Sequence, residues 1–148
     1  MFWSKKAKPT LEGMELAAQC QAEAEGLYRS GKYHCAEAVL ETVRRHFAAD
    51  VPESIVCAAS GFGAGSSAGC ICGAVSGGTI ALGLVLADKK ESTHLTKELH
   101  IWFKEKYGVT CCKIIRKNHK GACPVLTGEV AGKIAEMLGR KSPLTPLS

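Results

Sequence analysis

The side chains with the most chemistry in this chain are its cysteines. There are eight in 148 residues: Cys20, Cys35, Cys57, Cys70, Cys72, Cys111, Cys112 and Cys123. Thiolates are soft ligands and nucleophiles, so they suit iron–sulfur clusters, zinc or thiol–disulfide exchange rather than hard cations. No two of them have C-x-x-C spacing. That absence removes the thioredoxin signature, the zinc-ribbon knuckle, the ferredoxin-type run and C-x-x-C-H haem attachment. Several thiols instead fall where helices are expected to begin. Cys72 opens a long apolar run, Cys123 directly precedes Pro124, Cys35 follows Gly31 by one turn, and Cys112 follows Gly108. A helix N-terminus carries about half a positive charge and free N–H groups. Both stabilise a thiolate, so these thiols are expected to have pKa values lowered from about 8.5 toward neutrality.

The competing explanation is that cysteines are small buried hydrophobes. Cys20 and Cys57, flanked by alanines on helical faces, are adequately explained that way, and Cys35 fits either account. Cys72, Cys112 and Cys123 favour a functional role, with Cys70 and Cys111 as spare ligands or bystanders.

Other chemistry is thinner. Of five histidines, His34 adjoins Cys35 and is either a ligand, a tuner of the thiolate or, more simply, a solvent-facing residue at a helix start. No Ser-His-Asp order or paired carboxylate suggests hydrolysis, and no substrate is evident; an oxidoreductase component is the enzymatic role the cysteines suggest. "CCKIIRKNHKGAC" sets Lys113, Arg116, Lys117, His119 and Lys120 between candidate ligands. They form either a solvated face or a basic rim that offsets an iron–thiolate charge and docks an acidic redox partner. "GFGAGSSAG" lacks the Gly-Lys-Ser/Thr ending of a phosphate loop, and no strand precedes it.

The elements that position these residues read as helices, because apolar residues recur at three- and four-residue spacing and nowhere alternate. One helix carries Leu11, Met14, Ala17, Ala18, Ala24, Leu27 and Tyr28 on its inner face and ends near Ser30–Gly31. A second carries Cys35, Val39, Leu40, Val43 and Phe47 and stops before Asp50. A short one follows Pro52. After a Gly61–Gly69 loop comes an apolar helix from about Cys72 to Ala87. Its interior glycines, each costing about 1 kcal/mol relative to alanine, require a backbone or an inorganic group to approach closely, the later ones being served by small-residue packing. Leu95, Leu99, Trp102 and Phe103 mark a further helix with a Gly108 C-cap. A short piece covers about Thr110–Lys117, and a last helix runs from Pro124 to Leu138, closed by Gly139. The expected fold is all-α, a small single-domain bundle of five to six helices with a core over about 11–139 and loose termini at 1–10 and 140–148.

Composition agrees with a globular chain: 46% hydrophobic and 22% charged. A net charge of +5 and 6% aromatic residues make no case for nucleic acid. The apolar run is broken by Gly73, Ser76, Gly77, Gly78, Thr79 and Gly83, and reads as a buried central helix rather than a membrane span. "MFWSKKAKPT" has no apolar signal region. A cytoplasmic, reducing setting is therefore expected, where clustered cysteines mean metal or redox chemistry more often than bridges.

The order of segments resembles a known family. "CGAVSG" (Cys72–Gly77) resembles the signature of the redox-active proteins named for a C_GCAxxG_C_C pattern. "YHCAEAVL", "AASGFGAG", "KYGVTCCKII" and "CPVLTGEVAGKIAEML" resemble its other segments in order, over about Gly31–Leu138. A similar segment occurs in split-Soret cytochromes. Carried over by position, the resemblance implies Cys35, Cys72, Cys112 and Cys123 as metal ligands. Cys112 is chosen over Cys111 because it lies four positions after Gly108. The resemblance also implies an iron–sulfur cluster and electron transfer. Here His34 stands where the family commonly has Asn, and Cys70 and Cys111 are additional. Gly61, Gly63, Gly65 and Gly73 are expected to let the backbone approach the cofactor. Zinc in a structural bundle and a metal-free dithiol–disulfide protein are the alternatives, and a homo-oligomer is expected because cluster proteins often share sites across an interface.

Overall fold

The described residues fold as six α-helices. The computed structural model describes residues 11–141; of the expected loose termini 1–10 and 140–148, all of the first and residues 142–148 of the second lie outside the described residues. The helices are α1 (Leu11–Arg29), α2 (Cys35–Phe47), α3 (Gly73–Leu86), α4 (Lys89–Tyr107), α5 (Cys112–Asn118) and α6 (Cys123–Lys141). Between α2 and α3 lies a 3₁₀ helix, Glu53–Phe62, with Pro52 as its N-cap. Among the described residues there is no strand, only an isolated bridge between Ile71 and Cys111. No described helix is long and apolar enough to cross a membrane.

α1 packs chiefly on α6, α2 on α3 and α6, and α3 on α4. The core joins Val39, Leu40 and Val43 of α2, Val75 and Leu82 of α3, Leu99 and Phe103 of α4, and Leu126, Val130 and Ile134 of α6. The small residues of α3 allow close approach at specific points. A Cβ on Gly77 would stand 2.3 Å from the Ala36 carbonyl oxygen of α2, and one on Gly78 2.5 Å from Ile134 Cδ1. Gly83, by contrast, faces open space, so packing does not explain it.

Four local expectations are corrected. On α1 the buried residues are Cys20 and Ala24, while Leu11 and Met14 are 73% and 53% exposed. α6 meets α1 through glycines: a Cβ on Gly128 would come within 2.6 Å of the Gln21 carbonyl oxygen. So close a contact selects the small-residue face of α1 over the bulkier one. Cys57 is exposed rather than packed. α6 continues through Gly139 to Lys141, and Arg140 pairs with Glu98 at 2.5 Å across to α4. The glycine segment is not a simple loop. The 3₁₀ helix runs to Phe62, and Ala64, Gly65, Ser66 and Ser67 then all have φ between 56° and 66°. Each non-glycine residue in that left-handed region costs roughly 1–2 kcal/mol, so the turn is held by its surroundings. Cys70 N–H closes it on the Gly65 carbonyl at 2.8 Å.

Candidate functional site

Four of the helices begin at a cysteine. Cys35, Cys112 and Cys123 are the first residues of α2, α5 and α6, and Cys72 is the N-cap of α3. All four line one cavity of about 610 Å³. Local backbone pairing brings two of them together. Cys72 N–H donates to Thr110 O at 2.8 Å and Cys112 N–H to Cys70 O at 2.5 Å, on either side of the Ile71–Cys111 bridge. The starts of α3 and α5 are thereby fastened side by side.

Three of the thiols have neighbours that favour the anion. The N–H groups of Ala36 and Ala64, the latter in the left-handed turn, favour the Cys35 anion. The N–H groups of Val75 and Ala74 in the first turn of α3 favour the Cys72 anion. The charge of the Arg116 guanidinium, one turn along α5, favours the Cys112 anion. Burial, with the neighbouring Cys123 and Cys35, raises the Tyr28 hydroxyl of α1. The N–H groups act as the helix-start argument anticipates, yet the net direction is the reverse of the expected lowering. Burial pushes the Cys72 thiol up to about 12, with the neighbouring Cys35 adding to the effect and the two N–H groups opposing it. Burial likewise raises Cys35 and Cys112, and charge on the other cavity thiols raises both further. Desolvation of a charge outweighs a few hydrogen bonds when the sulfur lies out of water; Cys72 and Cys112 are only 6% and 7% exposed.

The glycines divide. A Cβ on Gly73 would stand 2.4 Å from Cys35 Sγ, and one on Gly65 2.6 Å from Cys112 Cβ. At Gly63 it would stand 3.1 Å from His34 Cβ. These three let backbone press against the cavity's own residues. Gly61 is exposed, with open space about it, and does not line the cavity. Cys111 is one partner of the bridge and Cys70 adjoins the other; both lie outside the cavity lining, as do Cys20 and Cys57.

Among the described residues, the charged side chains lining the cavity are cationic, Arg116 and Lys120, joined by His34 and His119, and no carboxylate lines it. His34 is exposed at the N-cap of α2, where its N–H donates to Glu37 Oε1 at 3.0 Å. Two polar lining residues, Tyr28 and Thr127, had not been singled out as site residues. Tyr28 appears in the sequence only as part of the α1 stripe. Thr127 carries a signal that could have been read, its position four residues after Cys123 on one helix. Among the described residues, no three His, Cys, Asp or Glu side chains stand close enough together to hold one metal ion.

A family model described as "Putative redox-active protein (C_GCAxxG_C_C)" matches residues 33–137, a span containing all four cavity cysteines. No curated protein and no solved structure matches the chain.

Proposed function

This chain belongs to the C_GCAxxG_C_C family of redox-active proteins, and from that premise we propose that Cys35, Cys72, Cys112 and Cys123 hold an iron–sulfur cluster through which the protein accepts and passes electrons. One observation carries the reading: four thiols at four helix starts line a single cavity that, among the described residues, has cationic side chains and no carboxylate. Bound there, such a cluster supplies a one-electron couple. The chain supplies the thiolates, the N–H donors of Ala64, Ala74 and Val75, and the positive charge of Arg116 and Lys120 to balance anionic sulfur.

The alternatives fit the cavity less well. A lone zinc ion needs three or four donors at bonding distance, and no such convergence exists among the described residues. A polynuclear cluster separates its ligand sulfurs more widely. Thiol–disulfide exchange needs thiolate at neutral pH, whereas Cys35, Cys72 and Cys112 are all raised. Metal binding, in contrast, displaces the proton directly.

Lys113, Arg116, Lys117, His119 and Lys120 are all exposed, which supports an acidic redox partner docking beside the cavity. Eight unpaired cysteines agree with a reducing, cytoplasmic setting. Anaerobic purification or reconstitution with ferrous iron and sulfide tests the assignment. The expected product is a brown protein with broad visible sulfur-to-iron absorption and matching iron and sulfide contents. A colourless protein free of both would overturn it, and pairwise loss of thiols on mild oxidation would instead favour the disulfide alternative.

A further inference from the structure

Thr127 is fully buried on α6 and lines the cavity, one helical turn beyond Cys123. Side chains on a helix lean toward its N-terminus, so that of Thr127 leans toward the turn that carries Cys123. Its hydroxyl oxygen has no hydrogen-bond partner. Helical threonines ordinarily satisfy the hydroxyl on the carbonyl four residues back. Thr79 does so on Val75 O at 2.9 Å and Thr93 on Lys89 O at 2.7 Å. Thr127 leaves that option unused. Thr42 is also buried and unbonded, but it does not line the cavity. A buried hydroxyl without a partner is unfavourable; one on a residue that lines a cavity of sulfur ligands gains a candidate acceptor once that cavity is filled.

We infer that the Thr127 hydroxyl donates its hydrogen bond to a sulfur of the group held by the four cysteines, which makes it a positioning residue that eases that group's reduction. The inference rests on the iron–sulfur reading above. A donor aimed at sulfur stabilises the more negative, reduced state more than the oxidised one, so it raises the reduction potential.

The test uses the full chain reconstituted anaerobically with iron and sulfide, as wild type, Thr127→Val and Thr127→Ser. Thr127→Val keeps the branched shape and removes the hydroxyl; Thr127→Ser keeps the hydroxyl. The midpoint potential, followed through the visible absorption, is expected to shift to a more negative value in Thr127→Val and to return close to wild type in Thr127→Ser, at equal iron and sulfide content. If Thr127→Val misfolds, Thr127→Ala is expected to show the same shift. In the metal-free chains, Thr127→Val is expected to melt at or above the wild-type temperature, because the hydroxyl has no partner there to lose. Unchanged potentials in fully loaded hydroxyl-free variants overturn the inference and leave the cluster assignment intact. So does a metal-free Thr127→Val that melts well below wild type. A wild-type chain that takes up neither iron nor sulfide overturns the cluster assignment itself, and this inference with it.

Discussion

Burial and hydrogen bonding pull the Cys72 thiol in opposite directions. Two N–H groups of α3 favour its anion, but exclusion from water wins and lifts it from an ordinary 9.0 to about 12. A thiol raised on folding favours the folded chain below its unfolded pKa, and that contribution is lost as pH rises through the folded value. The metal-free protein is therefore expected to lose stability between pH 9 and 12. Cys72→Ala is expected to make that slope shallower by about 1.4 kcal/mol per pH unit, measured by urea unfolding across the range. Position in the cavity also separates the cysteines by role. Serine at Cys35, Cys72, Cys112 or Cys123 is expected to abolish or sharply reduce iron uptake. Serine at the exposed Cys57 or Cys70 is expected to leave it unchanged, as read by metal analysis.

At the scale of elements, the site depends on how closely α2 and α3 approach. Gly77 meets the Ala36 backbone and Gly73 the Cys35 sulfur, so the two helix starts are set in register by the lack of side chains between them. Gly77→Ala is expected to destabilise by about 1–3 kcal/mol through overpacking. Gly83→Ala, in the same helix but in open space, is expected to stabilise by up to about 1 kcal/mol; thermal unfolding of the two variants checks the contrast. α2 is held at its other end by Glu41, whose carboxylate is 1% exposed and bonds Arg44 and Arg45, each at 2.7 Å. Burial pushes the Glu41 carboxyl up, yet the hydrogen bonds and charges of the two guanidinium groups outweigh it and leave the group below the ordinary carboxylate range. Arg44 also donates to Val51 O at 2.7 Å, and Arg45 reaches Glu23 of α1 at 3.1 Å. Glu41→Gln leaves both arginines short of a charge and is expected to cost about 2–3 kcal/mol, seen as a lower urea midpoint with an unchanged slope.

For the whole molecule, the cavity is where α2, α3, α5 and α6 begin. A group bonded to all four starts ties together elements spread over most of the chain, so its binding energy counts as folding energy. Removing it with a chelator under reducing conditions is expected to lower the melting temperature by roughly 10 °C, equivalent to about 3 kcal/mol at this chain length. Cys112→Ser, which removes one of the proposed ligands, is expected to show a much smaller difference between loaded and stripped protein. Calorimetry on matched samples measures both.

What could be read from the sequence is local. Helical spacing, Pro52, Gly108 and the run after Cys72 mark where backbone hydrogen bonding starts and stops, and those are decisions a chain makes within a few residues. The placement of four cysteines at helix starts was legible for that reason, and the family resemblance picked out the four that line one cavity. Tertiary structure decided what depends on distant neighbours. It decided which face of α1 is inside, because Gly128 of α6 admits the small Cys20–Ala24 side and leaves Leu11 and Met14 outside. It decided that Cys57 is exposed and that Gly61 stands away from the cavity while Gly63, Gly65 and Gly73 press against its residues. It also decided the direction of the thiol pKa shifts. A helix start contributes its N–H groups through local geometry, but the loss of water around a sulfur is set by everything packed against it, and no spacing of residues along the chain specifies that.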